Sequence, residues 1–210
     1  MTIQRGCLRG RRSQPRLWYV ERDMRRVGLY ITLSADGMYA DASGGLAEFE
    51  PAEPEHRFAN QLVRDAGDVV IGRRMYELMS YWDDLDVDDP GTPTVGAEFA
   101  RFWRRTPKQV VSRGQPTLGP NAAILEGDVV EAVQAMKEAD GPPIMIGAGA
   151  DLFATLAEAD LIDDFRFLIA PVAIGQGKAM FGSLTRPLRL RLMNTRQFDS
   201  GNVLLEYVRK

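Results

Sequence analysis

Three short segments carry the residues best suited to chemistry: DVVIGRRMYE (Asp68 to Glu77), KQVVSR (Lys108 to Arg113) and IMIGAGAD (Ile144 to Asp151). Each is a β-branched apolar run that stops at a glycine or a Ser-Arg pair. Arginines or small residues follow where a helix or loop should begin. In open parallel sheets, ligands bind outside the carboxyl ends of the strands. Backbone N–H groups at helix starts and arginine side chains both suit phosphates there. Three such strand ends in one chain point to a phosphate-rich nucleotide spread along a sheet edge.

Other chemistry is poorly supplied. His56 is the sole histidine and stands among Glu53, Glu55 and Arg57 at a helix start, where an exposed, solvated side chain is expected. Cys7 is the sole cysteine. Metal sites built on His and Cys, and Ser-His-Asp hydrolysis, therefore lack their parts, and no metal is expected. Asp83, Asp84, Asp86, Asp88 and Asp89 lack the spacing and glycine of a calcium loop and read as a solvated surface loop. No G-x-G-x-x-G follows the first strand, and no P-loop motif occurs. Gly175-Gln176-Gly177-Lys178 joins strand-like segments instead of opening a helix, so it reads as a turn.

The 210 residues, 45% of them apolar, are enough for one domain with a substantial core. At this size folding buries roughly 70% of the unfolded chain's surface. The net charge of −3 fits neither a disordered chain nor a nucleic-acid binder. Residues 1–23 depart from the rest, with six arginines against Glu21 and Asp23, a net +4 that leaves −7 on the remainder. This leader shows no periodicity and is expected to be a disordered arm or a start-site extension ahead of Met24. A nucleic-acid or membrane tether is the alternative for it. No apolar run approaches the ~18–20 residues of a membrane span, and Arg11-Arg12 is not followed by the apolar core of an export signal. A cytoplasmic protein is expected.

The elements that must position the three segments follow from periodicity. Strands are expected over Val27 to Leu33, Val69 to Ile71, Gln109 to Val111, Ala122 to Leu125 and Ile144 to Ile146. Helices are expected over Glu55 to Ala66, Arg74 to Trp82, Glu98 to Arg104, Asp128 to Ala139 and Asp151 to Ala159. Residues 38–53 read as an irregular loop. Phe165 to Val172, Leu188 to Phe198 and Val203 to Val208 are strands with no helix between them, and such runs pair antiparallel. The expected fold class is a three-layer α/β domain over residues 24–210. Its sheet is mixed, mostly parallel, with antiparallel C-terminal strands and helices on both faces.

Residues 24–210 resemble the dihydrofolate-reductase-like superfamily, and within it the reductase domain of bacterial riboflavin-biosynthesis enzymes and its stand-alone relatives. ITLSADGMYAD matches the first strand and S-x-D-G turn of that family. GRRMYE matches its G-R-x-T-[YW]-E segment, and VVSR, IMIGAGADL, LIDDFRFLIAPVAIGQGKAMF and LLEYV follow in the same order. The resemblance implies NADPH as cofactor. Gly72, Arg73 and Arg74 would meet the pyrophosphate or 2′-phosphate, and Ser112 and Arg113 would grip the 2′-phosphate. Gly147, Ala148, Gly149 and Asp151 would lie against the pyrophosphate, and Thr32 would lie beside the nicotinamide carboxamide. Asp36 would be the functional carboxylate, touching substrate or steering a proton, though Asp36-Gly37 is also a good turn pair.

Two residues depart from the family pattern. Met75 stands where Thr is usual, which removes a hydroxyl from the cofactor site. Ala148 replaces the second Gly of a pair that often takes a cis peptide, so either this bond is trans or cofactor affinity has fallen. The Pro-Trp landmark of dihydrofolate reductase proper is absent, and so is the deaminase half of the bifunctional riboflavin enzyme. The resemblance thus implies an NADPH-dependent reductase of a small polar heterocycle or carbonyl metabolite, pyrimidine- or pterin-like. It also implies a homodimer through the C-terminal strands. The alternative is a non-catalytic nucleotide-binding or regulatory protein that kept the fold.

Overall fold

A computed structural model describes residues 24–210; the basic leader lies outside the described residues. In chain order the elements begin with β1 (Val27–Ser34), β2 (Met38–Asp41), a single 3-10 turn (Ala47–Phe49), α1 (Glu53–Asp65) and β3 (Asp68–Gly72). Next come α2 (Arg73–Met79), α3 (Tyr81–Asp84), α4 (Thr94–Arg105), β4 (Lys108–Val111), β5 (Ala122–Ile124) and α5 (Val129–Glu138). The chain closes with β6 (Ile144–Gly147), α6 (Ala150–Glu158), β7 (Asp164–Ala170), β8 (Gly177–Ala179), β9 (Leu190–Gln197) and β10 (Val203–Arg209).

Eight of the strands form one sheet in the order β5-β4-β3-β6-β1-β7-β10-β9. Neighbours are parallel from β5 to β7, and the last two pairings are antiparallel. This is the expected mixed α/β architecture. Alternation along β3 shows why both faces are covered, since successive side chains of a strand point to opposite sides. Val70 joins the core under α5 and α6 with Leu29, Ile146 and Phe153, whereas Val69 and Ile71 join Trp103, Phe99 and Val63 under α1 and α4. Asp128 caps α5, its carboxylate accepting from the N–H groups of Val130 and Glu131 at 2.8 and 3.1 Å.

The amino edge of the sheet is electrostatically closed. Arg25 and Arg26, just ahead of β1, pair with Asp68 of β3 at 2.5 Å and Asp164 of β7 at 2.6 Å. Lys137 pairs with Asp163 at 2.7 Å on the same side. Among the described residues the carboxyl edge carries no comparable set of pairs, and the candidate site lies there.

Four local expectations need correction. Residues 38–53 are not a wholly irregular loop. Met38–Asp41 pairs antiparallel with Gly177–Ala179 as a separate two-stranded sheet, so the Gly175–Lys178 stretch runs into a strand. The helix expected over Arg74 to Trp82 is broken at Ser80, whose hydroxyl donates to the Glu77 carbonyl at 2.7 Å. Asp83 does not belong to a solvated loop. It sits on α3 with both carboxylate oxygens buried, and burial raises its pKa against the opposing pull of Lys108. His56 is half-buried, edge-on to Trp82 and Phe99, and is hydrogen-bonded to Asn60 at 3.0 Å.

Candidate functional site

Because β3, β4 and β6 run parallel side by side, their carboxyl ends open onto one cleft of about 1040 Å³. Eight of the residues singled out from sequence line it. Gly72, Arg73, Arg74 and Met75 come from the β3–α2 junction, Ser112 and Arg113 from the end of β4, and Gly149 and Asp151 from the start of α6. A further wall is a flap made of β2, β8 and the loop after β2. It contributes Tyr39, Ser43, Gly44 and Lys178, none of which was selected from sequence. The signal for Lys178 was present in the Gly-Gln-Gly-Lys run, which opens no helix yet brings its lysine to the cleft.

The charge in this cleft is largely unneutralised. Arg74, Arg113 and Lys178 make no hydrogen bond or ion pair with any described residue, and Arg73 reaches only Glu77, at 3.9 Å. Asp151, the other acidic side chain on the wall, accepts from the Ser183 hydroxyl at 2.6 Å. Gly149 precedes α6 in extended backbone and supplies no side-chain cap. The first N–H groups of a helix have no intrahelical acceptor, so those of α6 are donors at the cleft wall. A Cβ on Gly149 would stand 2.9 Å from the Tyr39 hydroxyl oxygen, so the absence of a side chain lets the flap rest on this corner.

Of the selected residues, Thr32, Asp36, Gly147 and Ala148 lie outside the cleft lining, while Ser112 and Met75 belong to it but make their own side-chain contacts. Thr32 is half-buried on β1. Gly147 serves packing: a Cβ there would meet the Ile71 side chain at 3.0 Å. Ala148 is 1% exposed, its methyl lies in the core, and the Gly147–Ala148 peptide is trans. Ser112 faces the cleft but uses its hydroxyl in a turn, donating to the Gly114 carbonyl at 3.0 Å and accepting the Gly114 N–H at 3.1 Å. Met75 presents an apolar side chain and packs against the cluster around Trp103.

Asp36 is exposed and outside the cleft lining. Its carboxylate accepts from the Ser34 hydroxyl at 2.5 Å, the Gly175 N–H at 2.7 Å and the Ile174 N–H at 3.2 Å. The Ser34 bond and then the two N–H bonds hold its pKa down at about 2. It ties the β1–β2 turn to the segment leading into β8, and so fixes the base of the flap.

The family described as RibD C-terminal domain matches residues 25–204. The chain belongs to the RibD C-terminal domain family. It is 27% identical over 183 residues to the uncharacterized protein YyaP of Bacillus subtilis (strain 168), covering 87% of this chain and 94% of that one. Among solved structures, a putative riboflavin biosynthesis protein from Shewanella sp. PV-4 superposes with a TM-score of 0.68 at 20% identity, over 88% of this chain and 99% of that one. Dihydrofolate reductase from Enterococcus faecalis, complexed with NADP(H) and RAB-propyl, gives 0.60 at 12% identity, over 89% and 99%. A RibD C-terminal domain on a dihydrofolate-reductase-like fold is therefore what the cleft is built into. No helix among the described residues is long and apolar enough to cross a membrane.

Proposed function

We propose that this RibD C-terminal domain is an NADPH-dependent reductase of a small polar heterocyclic or carbonyl metabolite of the pyrimidine or pterin class. The observation that carries the reading is the convergence of four cations, barely neutralised, on one cleft at the carboxyl ends of parallel strands. A dinucleotide phosphate fits that donor set. Arg113, supported by the Ser112–Gly114 turn, and Arg74 would hold the 2′-phosphate; a carboxylate in their place would favour NADH. Arg73 and the N–H groups at the start of α6 would hold the pyrophosphate. The Ala148 methyl lies in the core and takes no room from the cleft. When bound, NADPH would supply the hydride. The chain's own part is to bind, orient and enclose, with Tyr39 and the flap closing the side away from the arginines. Asp36 acts on the site by positioning the flap.

The test is calorimetric titration with NADPH and NADH. Wild type is expected to bind NADPH more tightly, and Arg113→Ala to weaken NADPH tenfold or more while leaving NADH nearly unchanged. A hydrogen bond to a charged group contributes about 1.5–3 kcal/mol. Equal losses for the two dinucleotides would remove Arg113 from the 2′-phosphate, and no binding of either would end the cofactor reading. NADPH that binds but is never oxidised against a pyrimidine, pterin and carbonyl panel would favour a non-catalytic nucleotide-binding role, the reading that Met75 supports. We further infer a homodimer formed through the C-terminal end of the sheet.

A further inference from the structure

We propose that Lys178 is a cofactor-contacting residue that fastens the β2–β8 flap onto the pyrophosphate of the bound dinucleotide; this rests on the NADPH reading. The backbone fixes where Lys178 stands. It lies opposite Ala40 in the β2–β8 pairing. The adjacent Gly177 is so close to β2 that a Cβ there would come 2.5 Å from the Ala40 carbonyl oxygen. The side chain then runs past Gly44, a residue at φ +94° with no side chain of its own. A Cβ on Gly44 would be 3.4 Å from the lysine Cε and 3.8 Å from Nζ. The ammonium is thereby kept on the cleft wall.

No described residue neutralises it. Asp41, the acid nearest in register, accepts from the Ser43 hydroxyl at 2.6 Å and the Gly45 N–H at 2.8 Å. Asp151 is engaged by Ser183. The Tyr39 hydroxyl abuts Gly149, so the flap and the start of α6 form adjoining walls, and an anion held by the α6 N–H groups is within the flap's reach. Arg113 follows β4 at the far end, and Arg73 and Arg74 follow β3, between it and the flap. β1, which leads into the flap, is two strand positions from β3 and three from β4, roughly 10 and 14 Å at ~4.8 Å per strand. Lys178 is therefore placed, with Arg73, for the pyrophosphate shared by NADPH and NADH, and Arg74 and Arg113 for the phosphate that distinguishes them. The flap is tethered at its base, where Asp36 holds Ile174 and Gly175 and the Met180 N–H donates to the Gly37 carbonyl at 3.0 Å. Contact at Lys178 would close it.

The experiment combines dinucleotide calorimetry with backbone hydrogen exchange over residues 38–46 and 174–180, using wild type, Lys178→Met and Lys178→Arg. Lys178→Met is expected to weaken NADPH and NADH alike by about tenfold or more. Saturating NADPH should protect the flap from exchange in wild type and Lys178→Arg but not in Lys178→Met. Unchanged affinity in Lys178→Met, or flap protection that survives in it, would overturn the assignment. If wild type binds neither dinucleotide, the cofactor reading itself falls. If wild type binds and Lys178→Met matches it, only the role of Lys178 falls.

Discussion

Asp36 places an ionised carboxylate where a backbone turn needs three acceptor bonds. Its folded pKa of about 2 lies below the ordinary 3.8, so its contribution to stability is present above the ordinary value. That contribution is lost as pH falls from there through about 2. Asp36→Asn is therefore expected to melt below wild type by a constant margin above about pH 5, with the two curves converging in acid. Thermal melts of both proteins across that range check this, and a margin that persists at the lowest pH would contradict it. The arginines of the cleft were legible in the sequence because Arg73, Arg74 and Arg113 follow β-branched runs that can only be buried strands. The packing of Gly147 and Ala148, which lie outside the cleft lining, was not legible, for an equally physical reason. A glycine demanded by the Ile71 side chain looks the same in a sequence as one demanded by a pyrophosphate, and an alanine does not announce that its methyl faces inward.

Secondary structure was most legible where periodicity ran long. β1, β7, β10 and the helices flanking the sheet all follow from their apolar spacing. β2 and β8 did not, being four and three residues long and paired across well over a hundred positions. No window of the sequence holds both partners, and the turn residues around each one outweigh its brief alternation. Yet this pair makes the fourth wall of the cleft. Gly177→Ala should expose that dependence, because the added Cβ would meet a backbone oxygen instead of a side chain that can turn away. A cost of about 1–3 kcal/mol in urea unfolding is expected, together with weaker NADPH binding. Gly182→Ala is the control: its Cβ would have only ordinary contacts, at 3.6 Å and beyond. Equal behaviour of the two variants would show that the flap is not held by this contact.

At the scale of the molecule, ion pairs close one edge of the sheet, and at the other Arg74, Arg113 and Lys178 have no partner among the described residues, so the protein is polarised along its strands. The sheet is also asymmetric across its width. β10 is enclosed between β7 and β9, so of the two C-terminal segments expected to meet a second copy only β9 has a free edge. Leu192 on that edge strand is 51% exposed. Beside it lies an apolar recess of about 500 Å³ that includes Phe167, Phe181, Leu188 and Tyr207. Light scattering is expected to give twice the 23.4 kDa chain mass, and Leu192→Glu to shift it toward one copy; a wild-type monomer would remove the dimer. The strand order carries one more consequence, for the order of events at the ribosome. β1 pairs only with β6 and β7, so a nascent chain that has not reached Ile144 holds Leu29, Ile31 and Leu33 on a strand with neither flank yet made. Joining β3 to β1 also waits on β6, which must enter between them. Assembly of this sheet is thus non-local and late, which slows folding and lengthens the time in which an unpaired apolar strand stands open to self-association.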